Sequence, residues 1–337
     1  MAAEPPPALA FPRPTAKYWP VGEGAWQIRL PLPWQLVSVN VFLFRRGGDY
    51  LLLDTGLRSE ESLESLESAL TCLNVGWDSI AEVLVSHLHP DHFGAAAEIR
   101  RRSGAPVRMP MEEAELVRPL GPGREFFAEA TEFLGRHGVP PSDVATMRAR
   151  AAAGATGHER LDVDGGLAVG ERIDFDGGTL TAVAAPGHSP AQLCFVWPEA
   201  RVLFSTDAIL PKITPNIGVQ WFYQGDPLGD YFGTLDRLSA LDVDRVVPSH
   251  GRPFRGHREW IVGTRRHHRK RCDSIEAVLG AEPIHAYEIA GRVWGEDRTL
   301  LDRRFAMSES LSHLHYMAGH GRVARLESNG ITRWAHA

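Results

Sequence analysis

Apolar and polar positions along this chain follow two rhythms. Between residues 24 and 86, "GAWQIRLPLP", "SVNVFLFRRGGDYLLLDTG" and "AEVLVS" are short β-branched and apolar runs bounded by Gly, Asp and Pro. They predict strands, with "RRGGD" as a hairpin turn. "SEESLESLESALTCLN" instead places Leu63, Leu66, Leu70 and Leu73 at helical spacing behind a serine and acids suited to a cap, which predicts an amphipathic helix. "FGAAAEIRRRSG" predicts a second helix, opening at a run of histidines and stopped by Gly104.

Residues 110 to 153 change character: "MEEAELVRPL", "REFFAEATEFLGRHG" and "PSDVATMRARAAAG" are helical in composition and separated by Gly and Pro. They predict a helical insert between two sheet-rich halves. Strands resume with "LAVGERIDFDGGTLTAVAAPGHS", "QLCFVWP", "RVLFSTDAIL" and "VDRVVPSHG". "YLLLDTGL" and "RVLFSTDAIL" echo each other, each an apolar strand running into a turn with an aspartate, which hints at two related halves. From "REWIVGTRRHHRKRCDSIEAVLG" onward the pattern is helical through "AYEIAGRVWG" and "MSESLSHLHYMAGHG", and "RVARLESNGITRWAHA" pairs two short strands around Ser-Asn-Gly. Three helices and a terminal hairpin suit a winged-helix module. The expected divisions are an N-terminal extension over 1–19, a main domain over 20–265 and the small module over 266–337.

With 337 residues and 43% hydrophobic content the chain can bury a large core, and its formal charge of −6 offers no global attraction to nucleic acid or anionic membrane. Cys72, Cys194 and Cys272 are too few and too scattered for a disulfide framework or a metal knuckle, so they are expected as buried, inert thiols in a reducing compartment. Prolines interrupt the start, "MAAEPPPALAFPRP", where a signal peptide would need an apolar core, and no run approaches the ~20 apolar residues of a membrane span. The expected location is the cytoplasm, without membrane attachment.

The densest chemistry lies in "SHLHPDHFG", where His87, His89, Asp91 and His92 follow a strand. His87 and His89 leave an extended segment on one side, and the next turn brings Asp91 and His92 toward the same space. Neutral imidazoles with a carboxylate suit a divalent first-row metal, and one ion cannot easily use all four. His188 in "APGHSPAQ", Asp207 in "FSTDA" and His250 in "PSHG" also end apolar strands, so seven donors could share one crevice outside the sheet. Stacking that many desolvated histidines without a cation would be costly.

"HLHPDH" followed in order by "GH", "TD" and "SHG" resembles the metallo-β-lactamase superfamily over roughly residues 20 to 265. The resemblance implies an αββα sandwich. It also implies a first metal on His87, His89 and His188, a second on Asp91, His92 and His250, and Asp207 bridging the two, with Asp54 in "LLLDTG" anchoring the histidine loop from beneath. Two cations a few ångströms apart could share one hydroxide and polarise a carbonyl or phosphoryl oxygen, with Asp91 steadying the nucleophile and handling its proton. Asp207 argues against antibiotic hydrolysis as the main task. His89, where diiron oxygen reductases carry an acid, argues against that branch.

The remaining branches resemble glyoxalase II, lactonases and nucleases. The expected function is a zinc-dependent hydrolase, holding two Zn2+ with iron or manganese as substitutes, that cuts an ester-like bond, thioester or lactone first. The alternatives are a metal-dependent endoribonuclease and a mononuclear iron oxidoreductase acting on sulfur compounds. The expected partner is a small-molecule substrate; nucleic acid is a lesser reading, resting on "RRHHRKR" at 265–271, and a homodimer stays open. Phe126, Phe127, Trp221, Phe222 and Tyr223 are candidates for an apolar wall beside the metals, or for ordinary core. His267, His268, His313 and His315 are expected to be surface or packing residues.

Overall fold

The computed structural model describes residues 17–34, 36–117, 124–150 and 161–337, and all of their side chains except those of 124–127 and 150. Its contacts divide into two units, Met1–Gly121 with Gly157–Pro215 and Arg237–Trp260, and Pro122–Thr156 with Asn216–Asp236 and Ile261–Ala337.

In the first unit, strands β1 (Tyr18–Gly22), β2 (Ala25–Pro31), β3 (Ser38–Arg46) and β4 (Asp49–Leu53) pair antiparallel in chain order. Strands β5 (Ile80–Leu84), β6 (Val107–Met109) and β7 (Gly165–Gly166) then add in parallel to complete a seven-stranded sheet. A five-stranded sheet follows: β8 (Arg172–Phe175), β9 (Gly178–Ala184), β10 (Leu193–Trp197) and β11 (Val202–Thr206) are antiparallel, and β12 (Arg245–Pro248) lies parallel to β11. β1 starts inside the span expected as an N-terminal extension, with Tyr18 opposite Ile28; most of that extension is outside the described residues.

The sheets face each other through aromatic side chains. Phe42 meets Phe204 edge-on at 4.9 Å, and Phe44 meets Phe204 and Phe175, both at 5.2 Å. Such pairs add roughly 0.5–1.5 kcal/mol each beyond the area they bury. β10 and β11 are buried at every position, which explains why they read as continuous apolar runs and not as alternating ones. The echo between "YLLLDTGL" and "RVLFSTDAIL" has a structural counterpart. In each sheet an antiparallel pair, β3–β4 or β10–β11, is followed by a parallel neighbour, β5 or β12.

Helix α1 (Glu60–Cys72) crosses from β4 to β5, with the Ser59 side chain accepting from Ser62 N. Leu66 and Leu70 face inward, and Cys72 is exposed. That corrects the expectation of three buried thiols, which holds for Cys194 and Cys272. Burial pushes the thiol of Cys194 up to about 12 and that of Cys272 up to about 11, which keeps both protonated. The single helix expected from Phe93 to Gly104 is two: α2 (Pro90–Phe93) and α3 (Ala96–Ser103). The break has a local cause, since Ala95 N leaves the helical ladder and donates to Gly56 O at 3.1 Å. Gly104 closes α3 in the left-handed region, as expected.

Of the helical insert, α4 (Met111–Val117) belongs to the first unit, and α5 (Arg124–Arg136) and α6 (Pro141–Arg150) to the second. The second unit also holds most of α7 (Pro227–Ser239) and α8 (His257–Glu276), with α9 (Ala286–Trp294), α10 (Leu300–Gly319) and the hairpin β13 (Val323–Ser328) and β14 (Ile331–His336). Asn329 and Gly330 turn that hairpin with φ of 52° and 73°. α7 was not anticipated. Leu228, Tyr231, Leu235 and Leu238, all fully buried, recur at helical spacing, but the Gly and Pro around them read as loop.

Candidate metal centre

The seven expected donors come from loops at strand ends in the first unit. After β5 the chain runs extended through Ser86, His87, Leu88 and His89, and Pro90 at the first position of α2 turns it so that Asp91 and His92 lie in the first helical turn. His188 follows β9 after Gly187, Asp207 follows β11 directly, and His250 follows β12 before Gly251. Gly187 and Gly251 have φ of 127° and 86°, a backbone region that favours glycine.

The donor atoms of His87, His89 and His188 lie within 4.8 Å of one another, and so do those of Asp91, His92 and His250. Asp207 spans the two groups: Oδ1 is 3.4 Å from His92 Nε2, while Oδ2 is 3.3 Å from His188 Nε2 and 3.4 Å from His250 Nε2. His250 Nε2 is also 3.2 Å from Asp91 Oδ2. Donors bonded at about 2.0–2.1 Å to one tetrahedral ion stand about 3.3–3.4 Å apart, so these spacings suit ions better than direct contacts. His89 and His188 are half-buried, and the other five are buried.

Asp54 is the fixed point beneath the histidine loop. Its backbone adopts φ of 62°; Oδ1 accepts from Ser86 N at 2.8 Å, and Oδ2 accepts from Ser86 Oγ at 2.9 Å and His92 Nδ1 at 2.8 Å. His250 Nδ1 donates to Ser38 O at 2.9 Å. With Nδ1 committed, each of these two rings aims Nε2 at the cluster. His92 Nε2, His250 Nε2 and Asp207 Oδ1 are buried and make no hydrogen bond among the described residues. Ring nitrogens and a carboxylate oxygen that converge without a hydrogen bond are the set of groups that a cation, proton or metal, would satisfy.

The electrostatics agree. Burial, reinforced by the neighbouring rings of His92 and His89, holds His87 well below the usual histidine range, and burial with the nearby His188 brings His89 down to about 3. For His92, burial acts downward but the carboxylates of Asp207, Asp91 and Asp54 outweigh it and raise the ring well above its ordinary value. The same contest, with Asp207 leading the carboxylates, takes His250 up to about 10. Burial would raise Asp207, yet His250 and His92 hold it well below the carboxylate range. The cluster therefore attracts positive charge, whether protons or metal ions.

Three further buried polar residues hold the loops, and sequence reading singled out none of them. Asn40 Nδ2 donates to Pro248 O at 2.9 Å and Gly251 O at 3.1 Å, on either side of His250. Gln192, oriented with its oxygen toward the backbone, accepts from Asp207 N and Ala208 N, both at 3.0 Å. Glu113 of α4 accepts from Leu88 N at 3.0 Å and Ala191 N at 2.7 Å, and Ser189 Oγ lies 2.6 Å from one of its oxygens. Asn40 and Gln192 stand as lone polar residues beside apolar runs, which was the available signal, but Glu113 in "MEEAELV" looks like any acid of a solvated helix.

The residues expected as an aromatic wall belong to the second unit. The rings of Trp221 and Phe222 meet edge-on at 4.9 Å, and Tyr223 Oη donates to Asp230 Oδ2 at 2.7 Å. Phe126 and Phe127 are on α5, with side chains outside those described. His268 and His313 are fully buried packing residues; His267 and His315 are half-buried.

Comparison with known proteins adds an independent observation. The family model described as metallo-beta-lactamase superfamily matches residues 34–250, and one described as metallo-beta-lactamase-like, C-terminal domain, matches 272–337. A probable metallo-hydrolase of Bacillus subtilis is 24% identical over 300 residues, 85% of this chain and 90% of the relative. An atrochrysone carboxyl ACP thioesterase of Pseudocercospora fijiensis is 22% identical over 317 residues, 89% of this chain and 75% of the relative. The crystal structure of a beta-lactamase domain protein from Burkholderia ambifaria superposes with a TM-score of 0.85 at 28% identity, covering 97% of each chain.

Proposed function

This chain belongs to the metallo-β-lactamase superfamily and is a metallo-hydrolase, and on that premise we propose that it uses two zinc ions to cut an ester-like bond, a thioester or lactone. The observation that carries the proposal is the pair of three-residue groups joined by Asp207. His87, His89 and His188 would hold one ion, Asp91, His92 and His250 the other, and Asp207 would span both. When bound, such ions supply Lewis acidity and lower the pKa of water to about 7.

The chain's own residues supply the rest. Asp54 and Ser38 O fix the rings of His92 and His250, so the donors need little rearrangement on loading. Asp91, in the first turn of α2, would orient the attacking water and accept its proton at a carboxylate oxygen. The thioesterase named among the relatives supports a thioester over a phosphodiester. So does the basic run on α8: Arg265 is bonded to Asp236 and Phe232 O, and Arg271 stacks over Trp294 at 4.3 Å, which removes two cations from any phosphate groove. We read α8 to α10 with the β13–β14 hairpin as a winged-helix module acting as scaffold, and the protein as cytoplasmic. Among the described residues no helix is long and apolar enough to cross a membrane.

The test is metal analysis followed by a substrate panel. About two zincs per chain and turnover of chromogenic thioesters or lactones are expected. One tightly held iron, or phosphodiesters cut in preference, would overturn the reading.

A further inference from the structure

Asp54 and Asn40 each steady one donor loop, Gln192 ties its own loop, which bears His188, to that of Asp207, and Glu113 bonds to both the His87–His89 loop and the His188 loop. It starts from α4, and its carboxylate is fully buried among Leu88 N, Ser189 Oγ and Ala191 N. Leu88 lies between His87 and His89, and Ser189 directly follows His188. These loops follow β5 in one sheet and β9 in the other, and no ladder hydrogen bond links the two strands. The carboxylate is thus a polar tie between the segments that carry all three donors of the first group.

Packing alone does not account for an acid at this position. Among the described residues no lysine or arginine pairs with Glu113, and a buried carboxylate without one is costly unless several donors meet it. Three groups do, each on a segment bearing or adjoining a histidine donor. An apolar residue would fill the space but would leave the two amides unmet and the two loops held by the backbone bond from Leu193 N to Ser86 O, at 3.1 Å and beyond both histidine sites. Donor spacing near 3.3 Å tolerates little drift.

We propose that Glu113 is the positioning residue that sets the distance between the His87–His89 pair and His188, and so the affinity of the metal position those three rings form. The inference rests on the reading of the cluster as a metal centre. His92 and His250 have their own anchors in Asp54, Ser38 O and Asn40, so the second position should depend far less on Glu113.

Glu113→Gln keeps the shape but offers one acceptor and an amide that would face a backbone N–H. Zinc titrations of the full chain against a chromophoric chelator should show one of two equivalents weakened by about 10–100-fold and the other far less affected. Ser189→Ala removes one donor and leaves the acid, and should weaken the same equivalent by about fivefold. If Glu113→Gln does not fold, the serine variant decides. Two equivalents bound as tightly as in the wild type, or both weakened alike, would overturn the role of Glu113. A wild-type chain that binds no divalent metal would instead count against the metal centre itself.

Discussion

Both units bury histidines, and they use them in opposite ways. In the first, His92 and His250 commit Nδ1 to an oxygen and turn Nε2 toward Asp91 and Asp207. In the second, His313 Nδ1 donates to Glu309 O at 2.7 Å and its Nε2 lies 3.1 Å from His268 Nδ1, while His268 Nε2 is buried with no hydrogen bond among the described residues and no carboxylate pairs with it. The charges felt by His268 come from His313, His267 and Arg271, all basic, and together with burial they hold it well below its ordinary range. Burial of imidazole is common to both sites. Convergent carboxylates are what make one of them a place for cations.

The largest expected effect is at the residue that joins the two donor groups. Asp207→Ala should cost ~100–1,000-fold in kcat on the best substrate of the panel, by the usual scale for a lost electrostatic stabiliser. A variant that retains most of its turnover would remove the distinction drawn between the sites.

Acid should separate them next. Burial holds His313 at about 4, below the ordinary 6.5, so on acidification the unfolded chain takes up the proton first. The stabilising contribution is complete above about pH 6.5 and is lost as pH falls toward 4, an order of 3 kcal/mol in all. Urea midpoints of wild type and His313→Gln, compared from pH 7.5 to 4.5, should converge on acidification. Parallel curves would place the titrating group elsewhere.

A smaller change is expected beneath the donors. Asp54→Ala leaves Ser86 N and His92 Nδ1 without their acceptor and should weaken zinc binding by about 10–100-fold, read by chelator competition. The smallest is the control: His313→Gln at pH 7.5 should change kcat by no more than about twofold, since the hydrogen bonds of His313 run to Glu309 and His268 and not to a donor loop. A large fall in kcat there would break the comparison from the other side.

Much of this was legible because ligand chemistry is local in residue type. "HLHPDH" and three single donors, each after an apolar strand, were visible as letters, and the anchoring role of Asp54 was implied by the family resemblance. The helix α7 was legible too, through Leu228, Tyr231, Leu235 and Leu238, but glycine and proline nearby masked its period. The exposure of Cys72 followed from helix phase, since Leu66, Ala69 and Leu70 take the inward face.

Residue identity and order determined the two sheets, the seven donor types and the strand ends that carry them, because apolar periodicity and ligand chemistry both act at short range along the chain. Only the tertiary structure decided that Glu113 would join two donor loops, that Asn40 would brace His250, and which buried histidines would face carboxylates. Those outcomes depend on contacts between segments far apart in sequence, and the local pattern carries no term for the distance between them.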